Sequence, residues 1–402
     1  MQSGILIITS TFPQGGKDIV SARFVYDLAK ELAQEREVHV LCPAGRDANT
    51  FEAEGKLKIH RFKYFFPHKY GKLASGQGIL SDAKKNSLVL LQVPFLFIAE
   101  FFNIIWLIKK EKIAAVNTHW IVPNGFIFAL LHNFTRLPHM MTVHAADIFM
   151  LKKYQWIGRH LCRYTLARTD MLMPVSRYIN DCIKDVSGTD NFKHEIMPMG
   201  VDLKKFHPLN TDSKAGDFTF LFVGKLTEKK GLKFLLEAAS LLKKKSINFK
   251  LRIVGGGREI IFYQDLAEKL NLDGSTEFCG WVSNQALPEI YNQSDCLITP
   301  SVFDQNGETE GMPVVILEAM ACGKPVLASK ISGIVDIVKE GYNGLLSEPA
   351  NSADLAEKML QIYQSGAGIY RQNCLDTAER YSIQKVADCY KRNMLSIIKE
   401  GT

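Results

Sequence analysis

The sequence lacks several features that would place this protein among metal-bound, secreted or repetitive chains. Its eight cysteines include no Cys-x-x-Cys pair, so we expect no zinc site, and reduced thiols packed in apolar segments. No Asp-x-Asp is present, and neither a short internal repeat nor a low-complexity tract occurs. The first residues show neither a basic leader nor a small-residue cleavage site, so no signal peptide is predicted. A cytoplasmic protein is therefore expected.

What is present is typical of a folded protein of two domains. The chain has 402 residues, too many for one compact core, with 47% hydrophobic and 23% charged residues. Its formal net charge of +7 would suit a nucleic-acid-binding protein. No nucleic-acid-binding motif accompanies that charge, however, and ligands that carry phosphate explain it equally well. We therefore expect no nucleic acid partner.

Strand-like apolar runs alternate with segments of helical periodicity, and this alternation occurs twice along the chain. Such a pattern predicts two parallel sheets covered by helices, which is the α/β class. Between the first two strands, Phe24, Leu28 and Leu32 recur at a spacing of four and predict a helix. The predicted strands are Ile5–Ser10, Val38–Pro43, Ile113–His119, Met140–His144 and Met171–Ser176 in the first half, and Phe218–Gly224, Phe249–Gly255, Thr276–Gly280, Cys296–Ser301, Pro325–Ser329 and Gly344–Ser347 in the second.

The segment between the two halves is rich in Pro, Gly, Asn and Asp, which predicts a linker. We therefore predict an N-terminal domain over residues 1–204 and a C-terminal domain over residues 205–375. The remaining residues, 376–402, are predicted to form one helix over about Asp376–Lys399. That helix is long enough to cross back to the first domain.

Ligands of open parallel sheets bind at the carboxyl ends of the strands, so the loops that follow the strands are of interest. Gly15 and Gly16 would allow a ligand to approach the backbone closely, although a tight turn explains them as well. Lys225 and Lys230 would supply charge for a diphosphate, although charged loops are usually only solvated. The run Gly255–Gly257 lacks the spacing of a dinucleotide fingerprint and predicts a strand-to-helix turn.

Two carboxylates eight residues apart, Glu310 and Glu318, bracket an apolar run that predicts a helix. The N–H groups at the start of a helix bind anions, and carboxylates accept hydrogen bonds from hydroxyl groups. A nucleotide diphosphate sugar needs both kinds of contact. An ordinary strand-loop-helix with two surface glutamates is the alternative.

Two neighbouring segments bear on membrane binding. Leu88–Ile108 is apolar and about as long as a membrane span, but Gln92, Pro94 and Glu100 interrupt it. We therefore expect a buried crossover helix there. Upstream, Arg61–Lys85 interleaves basic with aromatic residues, as in segments that lie on an anionic membrane surface. A solvated loop over the core is the alternative for that segment.

Taken in order, these motifs resemble those of the retaining glycosyltransferases of family 4. The resemblance extends over nearly the whole chain and implies the GT-B architecture, in which two Rossmann-like domains face each other across a cleft. The matching segments are Gly15-Gly16, TVHAAD (142–147), PVS (174–176), PMGVD (198–202), FVGKLTEKKG (222–231), VGGG (254–257), FCGWVSNQALPEIYNQSD (278–295) and the pair Glu310 and Glu318.

The resemblance implies that the protein transfers a sugar, with retention, from a UDP- or GDP-linked donor to a saccharide or lipid-linked saccharide. Cell-surface polysaccharide or glycolipid synthesis would be the process. His144 and Glu310 are the implied catalytic residues, and a phosphate oxygen of the leaving group is thought to accept the proton of the acceptor in similar enzymes. The implied donor-binding residues are Gly15, Gly16, Lys225, Lys230, Gly255, Met312, Val314, Val315 and Glu318.

Since no Asp-x-Asp would hold a metal on the diphosphate, we expect no metal ion and no cofactor. Lys225, Lys230 and helix N–H groups would stabilise the leaving diphosphate instead. We expect the enzyme to work in the cytoplasm, either free or bound peripherally to the inner face of the cell membrane.

The sequence departs from the family pattern at two positions. Lys225 stands where an arginine is usual, which keeps the charge but loses a bidentate donor. Ala145 replaces the glycine of the usual HGxD motif next to His144, whose alternative role is that of a histidine ending a buried strand. Two other functions stay open: a nucleotide-sugar epimerase or phosphorylase on the same fold, and a non-catalytic carbohydrate-binding protein.

Overall fold

The structure is a computed structural model that describes residues 4–14, 23–46, 48–73, 87–209 and 217–400. Gly15 and Gly16 lie outside the described residues. The chain divides into two compact units. The first contains residues 1–175, 179–198 and 383–402, and the second contains residues 176–178 and 199–382.

The first unit contains a sheet of seven strands. All neighbouring strands in it are parallel except one antiparallel pair at an edge. The first two strands of the chain are completely buried and apolar except for His39, as expected where helices cover both faces of a sheet. In sheet order, the strands are β3 (Phe51–Glu54), β4 (Leu57–Phe62), β2 (Val38–Pro43), β1 (Gly4–Ile8), β5 (Ile113–His119), β6 (His139–Val143) and β7 (Met171–Pro174).

The second unit contains a sheet of six parallel strands. Its core joins the inner faces of the strands and helices in one apolar cluster, which includes Phe220, Leu251 and Met320. In sheet order, the strands are β10 (Thr276–Gly280), β9 (Phe249–Val254), β8 (Phe218–Val223), β11 (Cys296–Thr299), β12 (Val326–Ser329) and β13 (Gly344–Ser347). Every strand predicted from the sequence is present, and no end is misplaced by more than two residues.

Helices connect these strands in the βαβ manner that a parallel sheet requires. The helix predicted from Phe24, Leu28 and Leu32 is present, with Leu28 and Leu32 buried. The helices of the described residues are α1 (Arg23–Leu32), α2 (Val93–Lys110), α3 (Phe126–Thr135), α4 (Ala146–Lys153), α5 (Gln155–Leu166), α6 (Arg177–Ser187), α7 (Leu232–Lys244), α8 (Ile260–Lys269), α9 (Leu287–Asn292), α10 (Val314–Ala321), α11 (Ile334–Ile337), α12 (Ser352–Ser365), α13 (Arg371–Arg380) and α14 (Ile383–Glu400).

The edge hairpin of β3 and β4 was not predicted, and it corrects the interpretation of Arg61. That side chain is 1% exposed and forms an ion pair with Glu52 at 3.0 Å. Its guanidinium also donates hydrogen bonds to the carbonyl oxygens of Asn49, at 3.2 Å, and Pro13, at 2.9 Å. The prediction of a surface segment beginning at Arg61 is therefore wrong at its start, where the chain is a buried strand.

Helix α2 follows a 3₁₀ turn (Ser87–Gln92) and confirms a helix in the predicted apolar segment. The expectation that it is buried is wrong for one side. Only Leu96, Glu100, Ile104 and Leu107 of the helix are buried. Val89–Lys110 is long and apolar enough to cross a membrane by length and composition, and 28% of its most apolar window is buried within the protein.

The end of the chain forms two helices, α13 and α14, where a single helix was predicted. Tyr381 and Ser382 separate them. Helix α14 belongs to the first unit, where the Tyr390 hydroxyl lies 3.1 Å from Oγ1 of Thr142 on β6. The second unit ends at Ser382.

Candidate active site

Three loops at the carboxyl ends of neighbouring strands of the second unit are joined by backbone hydrogen bonds. The loops follow β8, β9 and β10. Gly224 N donates to the Val254 carbonyl at 3.0 Å, and Leu226 N donates to the Gly256 carbonyl at 3.0 Å. The third bond runs from Gly255 N to the carbonyl of β10's last residue, at 2.8 Å. These contacts hold the three loops together as one surface at the end of the sheet.

The run Gly255–Gly257 is glycine because there is no room for side chains between these loops. A Cβ at Gly255 would lie 1.9 Å from the Gly224 carbonyl oxygen, and one at Gly256 would lie 2.3 Å from Nε1 of Trp281. The φ of Gly255, +133°, is also a value that side chains disfavour. Gly255 therefore has a packing role, and its contact with a donor stays a prediction.

Lys229 and Lys230 lie in a 3₁₀ turn (Glu228–Lys230) in the loop after β8. The turn ends at Gly231, which has a φ of +68° and approaches the Pro300 carbonyl so closely that a Cβ would lie 1.8 Å from its oxygen. Val302 N donates a hydrogen bond to the Lys229 carbonyl at 2.9 Å. This hydrogen bond connects the turn that contains Lys229 and Lys230, called the lysine turn below, to the loop after β11. Glu310 lies on that loop.

Glu310 forms ion pairs with both lysines of this turn. Its Oε1 lies 3.2 Å from Nζ of Lys229, and its Oε2 lies 3.1 Å from Nζ of Lys230. Burial opposes ionisation of the Glu310 carboxyl, but Lys230 and Lys229 outweigh it and lower its pKa to about 2. In turn, Glu310 raises the pKa of Lys229. Glu310 and Lys229 are therefore charged at neutral pH, and one carboxylate with two lysines has a formal charge of +1.

The backbone of Glu310 is held from the loop after β12. Ser332 Oγ donates a hydrogen bond to the Glu310 carbonyl at 2.6 Å, and Gly333 N donates to the Gly311 carbonyl at 3.1 Å. A Cβ at Gly333 would lie 2.1 Å from that same oxygen. The position of Glu310 is therefore set by contacts from two sides, the lysine turn and this loop.

Helix α10 begins four residues after Glu310 and turns a partly exposed face toward solvent. Val314 and Val315 lie on that face, Glu318 lies one turn further along it, and Met312 is partly exposed just before the helix. Because the first N–H groups of a helix have no partner within it, this end of α10 can bind an anion. The residues of the buried side are Ile316, Leu317, Ala319, Met320 and Ala321.

Glu318 is oriented by a buried tyrosine. The hydroxyl of Tyr291, on α9, donates a hydrogen bond of 2.7 Å to Oε2 of Glu318. Burial and then the carboxylate raise the pKa of Tyr291 well above its ordinary value, so the hydroxyl keeps its proton. The Tyr291 ring packs against Phe206, with 5.9 Å between centroids. The Tyr291 contact fixes one carboxylate oxygen of Glu318.

In the first unit, His144 follows β6 within a group of aromatic rings. Its Nε2 lies 3.1 Å from Nδ1 of His119, and the two rings are stacked with an interplanar angle of 16°. The centroids of Trp120 and Phe24 lie 4.8 Å and 5.1 Å from that of His144. Burial lowers the pKa of His144 to about 3, and burial and His144 lower the pKa of His119 well below its ordinary value. Both rings are therefore neutral at pH 7.

Asp147, three residues after His144, supports the turn that follows β5. Its Oδ2 accepts a hydrogen bond of 2.5 Å from the backbone N–H of Ile121. Burial raises the pKa of the Asp147 carboxyl to about 7. Because the turn begins beside His119 and Trp120, Asp147 helps to place the rings around His144.

The structure brings together some of the predicted site residues. Lys230 contacts Glu310 directly, whereas Glu318 has a different partner, Tyr291. Lys225 lies at the start of the same loop as Lys230, and Met312, Val314 and Val315 lie at the start of α10. Four residues that contact these groups were not predicted from the sequence: Lys229, Tyr291, His119 and Trp120. Only Lys229 had a signal in the sequence, which is its place in the KKG run.

A group with the geometry of metal ligands lies elsewhere, in the described part of the first unit. It consists of Glu37, His39 and Glu111. Glu37 Oε1 lies 2.7 Å from both Nε2 of His39 and Nζ of Lys58, so an ammonium group already compensates this carboxylate. The three residues lie at the amino ends of β2 and β5, whereas His144 lies at the carboxyl end of β6. The group is therefore not part of the candidate active site.

Two family descriptions match consecutive parts of the chain. Residues 21–205 match "Glycosyltransferase Family 4", and residues 204–381 match "Glycosyl transferases group 1". An uncharacterized glycosyltransferase of Methanocaldococcus jannaschii is 32% identical over 257 residues, which cover 64% of this chain and 67% of that protein. The amylovoran biosynthesis glycosyltransferase AmsK of Erwinia amylovora is 27% identical over 376 residues, 90% of this chain and 84% of AmsK.

Solved structures show the same fold at lower identity. Sucrose-phosphate synthase from Thermosynechococcus elongatus superposes with a TM-score of 0.81 and 19% identity, covering 99% of this chain and 100% of the other. Anabaena HepE in complex with UDP-glucose superposes with a TM-score of 0.69 and 17% identity, covering 98% of this chain and 100% of HepE. Both units therefore have the Rossmann-like fold of the GT-B glycosyltransferases.

Proposed function

Because this chain belongs to the glycosyltransferases with the GT-B fold, we propose that it transfers a sugar from a nucleotide diphosphate sugar to a saccharide or lipid-linked saccharide acceptor. The transfer retains the anomeric configuration and needs no divalent metal. The strongest support is the partly buried group of Glu310, Lys229 and Lys230, in which Glu310 lies four residues before α10. The lysines supply positive charge, Glu310 supplies a carboxylate that can bind the sugar, and the start of α10 supplies helix N–H groups.

The two lysines and the start of α10 bind the diphosphate of the donor. Each ammonium group has three N–H donors, and Glu310 occupies one direction of each, so donors remain for phosphate oxygens. The net positive charge of the group attracts an anion. In a site without bulk water, such fixed charges stabilise the negative charge that develops on the leaving diphosphate. Lys225, on the same loop, adds a further point charge.

Glu310 binds and orients the transferred sugar rather than attacking it. A carboxylate with a pKa of about 2 that is paired with two ammonium groups is a weak base and a weak nucleophile. Its oxygens can still accept hydrogen bonds from sugar hydroxyls. The proton of the acceptor hydroxyl then passes to an oxygen of the departing phosphate. This route is consistent with retention without a covalent intermediate on Glu310.

Glu318 accepts hydrogen bonds from the ribose of the nucleotide. Tyr291 holds one oxygen of the Glu318 carboxylate in place, and carboxylate oxygens accept hydrogen bonds from ribose hydroxyls. Met312, Val314 and Val315 form the apolar surface next to it. We favour UDP over GDP as the nucleotide, because HepE, a structural neighbour, was solved with UDP-glucose.

His144 acts as a neutral hydrogen-bonding group beside the reacting sugar. With a pKa of about 3, its ring carries no charge at neutral pH, so it acts through hydrogen bonds rather than through charge. Its contact with His119 fixes the ring orientation. Since AmsK is a biosynthetic enzyme of amylovoran, we propose a role in the cytoplasmic synthesis of an extracellular or cell-surface polysaccharide.

The experiment that tests the donor is a thermal-shift screen of the full chain against UDP-, GDP-, ADP- and CMP-sugars. A ligand at 100 times its dissociation constant adds about 2.7 kcal/mol to stability. We expect UDP-sugars to raise the melting temperature most. If no nucleotide sugar stabilises the protein, the proposed function is wrong. If a donor is consumed without any acceptor, the epimerase or phosphorylase alternative is favoured instead.

A further inference from the structure

The outer side of α2 presents a stripe of large apolar side chains to solvent. Leu91, just before the helix, and Phe95, Ile98, Phe102 and Trp106 on it are each between 48% and 70% exposed. Their spacings of four, three, four and four residues place them on one side of the helix. At 1.5 Å per residue, the stripe is about 22 Å long. We call these five residues the apolar face.

The opposite side of α2 is anchored in the first unit. Leu96, Ile104 and Leu107 belong to its apolar core. Glu100, also buried, accepts a hydrogen bond of 2.9 Å from Nδ2 of Asn124, which lies just before α3. A helix held in this way cannot cross a bilayer without breaking its core contacts. The apolar face can therefore meet a membrane only from the side.

A turn at residues 65–72, in the loop that follows β4, extends the apolar face. Gln92 ties that loop to the start of α2, because its Nε2 donates to the Tyr70 carbonyl at 2.8 Å and its Oε1 accepts from Lys72 N at 3.0 Å. The rings of Phe65 and Phe95 are in edge contact, with 5.5 Å between centroids. The turn also presents Phe66, which is 84% exposed. The apolar surface is thus wider than one helix.

Lysines border this surface at both ends. Over residues 63–73 and 87–112, the described residues include six lysines but only two acidic residues, of which Glu100 is buried. Lys110 Nζ lies 4.6 Å from the centroid of the Trp106 ring, and Lys69 Nζ lies 5.2 Å from that of Tyr70. The six lysines are Lys63, Lys69, Lys72, Lys109, Lys110 and Lys112.

We propose that the apolar face and its lysine border dock the first unit on an anionic lipid bilayer, with α2 lying in the plane of the interface. An apolar centre rich in aromatic rings and surrounded by lysines matches the boundary between acyl chains and anionic head groups. Two copies of this chain joined through the same face would bring lysine borders of like charge together. The inference does not depend on the sugar donor, because it uses only residues remote in sequence from Glu310 and Glu318.

The first test is co-sedimentation of the full chain with vesicles of phosphatidylglycerol and phosphatidylcholine. We expect binding at low ionic strength that falls as salt rises, and little binding to phosphatidylcholine alone. The variant Ile98→Ser/Phe102→Ser should bind about tenfold more weakly or worse, because two apolar side chains no longer insert. The matched control is Ile261→Ser/Phe262→Ser on α8 of the second unit, whose residues are also exposed. It should bind like the wild type.

A second measurement uses Trp106 as a reporter. Its emission should shift to shorter wavelength on vesicle binding, and Trp106→Phe should lose that shift while it still sediments with vesicles. Lys109→Glu/Lys110→Glu should lose binding to anionic vesicles but keep its melting temperature, since both side chains lie at the exposed end of α2. Each variant should retain the stabilisation by nucleotide sugar, which separates membrane docking from donor binding.

Three outcomes would overturn the proposal. One is a wild-type protein that does not bind anionic vesicles at low ionic strength. Another is equal vesicle binding by the wild type and by Ile98→Ser/Phe102→Ser. The third is a wild-type dimer in sedimentation velocity that the same double variant converts to monomers, which would assign the face to contact between copies.

Discussion

The substitution Glu310→Gln tests how the partly buried charges of Glu310, Lys229 and Lys230 are balanced in the second unit. It keeps the shape of the side chain but removes the negative charge that lies 3.2 Å from Lys229 and 3.1 Å from Lys230. Two ammonium groups are then left near each other without the carboxylate. We expect the second unit to become less stable, since burying unpaired charge is costly.

The pKa of Glu310 gives the size of the effect. Its decrease from 4.5 to about 2 corresponds to about 3 kcal/mol of preferential stabilisation of the ionised form. The side chain is only 18% exposed, so solvent screening reduces this value modestly. We therefore expect Glu310→Gln to cost about 2–3 kcal/mol, or about 4–12 °C in melting temperature for a unit of this size.

Calorimetry of the full chain at a series of pH values measures this effect. Because the folded-state pKa is lowered, the stabilisation is present above pH 4.5 and is lost as the pH falls toward 2. The difference between wild type and Glu310→Gln should be constant from about pH 5.5 to pH 8 and should shrink below about pH 4.5.

The matched control is Glu277→Gln in the same unit. Glu277 pairs with Arg252 at 3.1 Å, but its side chain is 64% exposed. Such surface ion pairs contribute about 0–1 kcal/mol. One contradicting result is that Glu310→Gln lowers the free energy of unfolding no more than this control does. Another is that its effect does not change between pH 5 and pH 2. In either case the ion pairs of Glu310 with Lys229 and Lys230 do not stabilise the second unit.

Three further outcomes are expected. Glu318→Ala should weaken UDP binding, measured by calorimetry, by about 1–3 kcal/mol. Tyr291→Phe should weaken UDP binding less, because the Glu318 carboxylate is still present. Equal UDP affinity of the wild type and both variants would refute the ribose contact. Lys230→Ala should lower kcat/KM strongly, whereas Lys225→Arg should be tolerated because it restores a bidentate donor; loss of activity in Lys225→Arg alone would contradict this. Sugar transfer should persist in excess EDTA, and complete loss that magnesium or manganese restores would show that a metal is needed.

The periodic parts of the fold were predictable from the sequence because burial leaves a clear pattern in the residues. Strands such as Val38–Pro43 and Ile113–His119 consist mostly of apolar residues, and the structure gives them the predicted ends. The edge strand Phe51–Glu54 is short and mostly exposed, so it has no such pattern. The prediction that α2 is buried was wrong for its outer side, because the apolar residues there are exposed.

The candidate site was predictable where a residue type is tied to its own chemistry. Glu310 and Lys230 were identified as carriers of charge, and they are in contact. Tyr291 was not identified, because its distance from Glu318 depends on the packing of α9 against α10 and not on nearby sequence. The ring of His119 beside His144 likewise follows from the pairing of β5 with β6. Tertiary contacts of this kind leave no local signal.

The return of α14 to the first unit has a consequence for biosynthesis on the ribosome. The second unit is nearly contiguous, over residues 199–382, and can fold as soon as that stretch has emerged. The first unit must wait for the last helix, which supplies buried residues such as Val386, Tyr390 and Met394. Until then Thr142, on β6, lacks its contact with the Tyr390 hydroxyl. The unit that emerges first is therefore the last to be completed, and a nascent chain stopped before residue 383 would expose part of its core to chaperones.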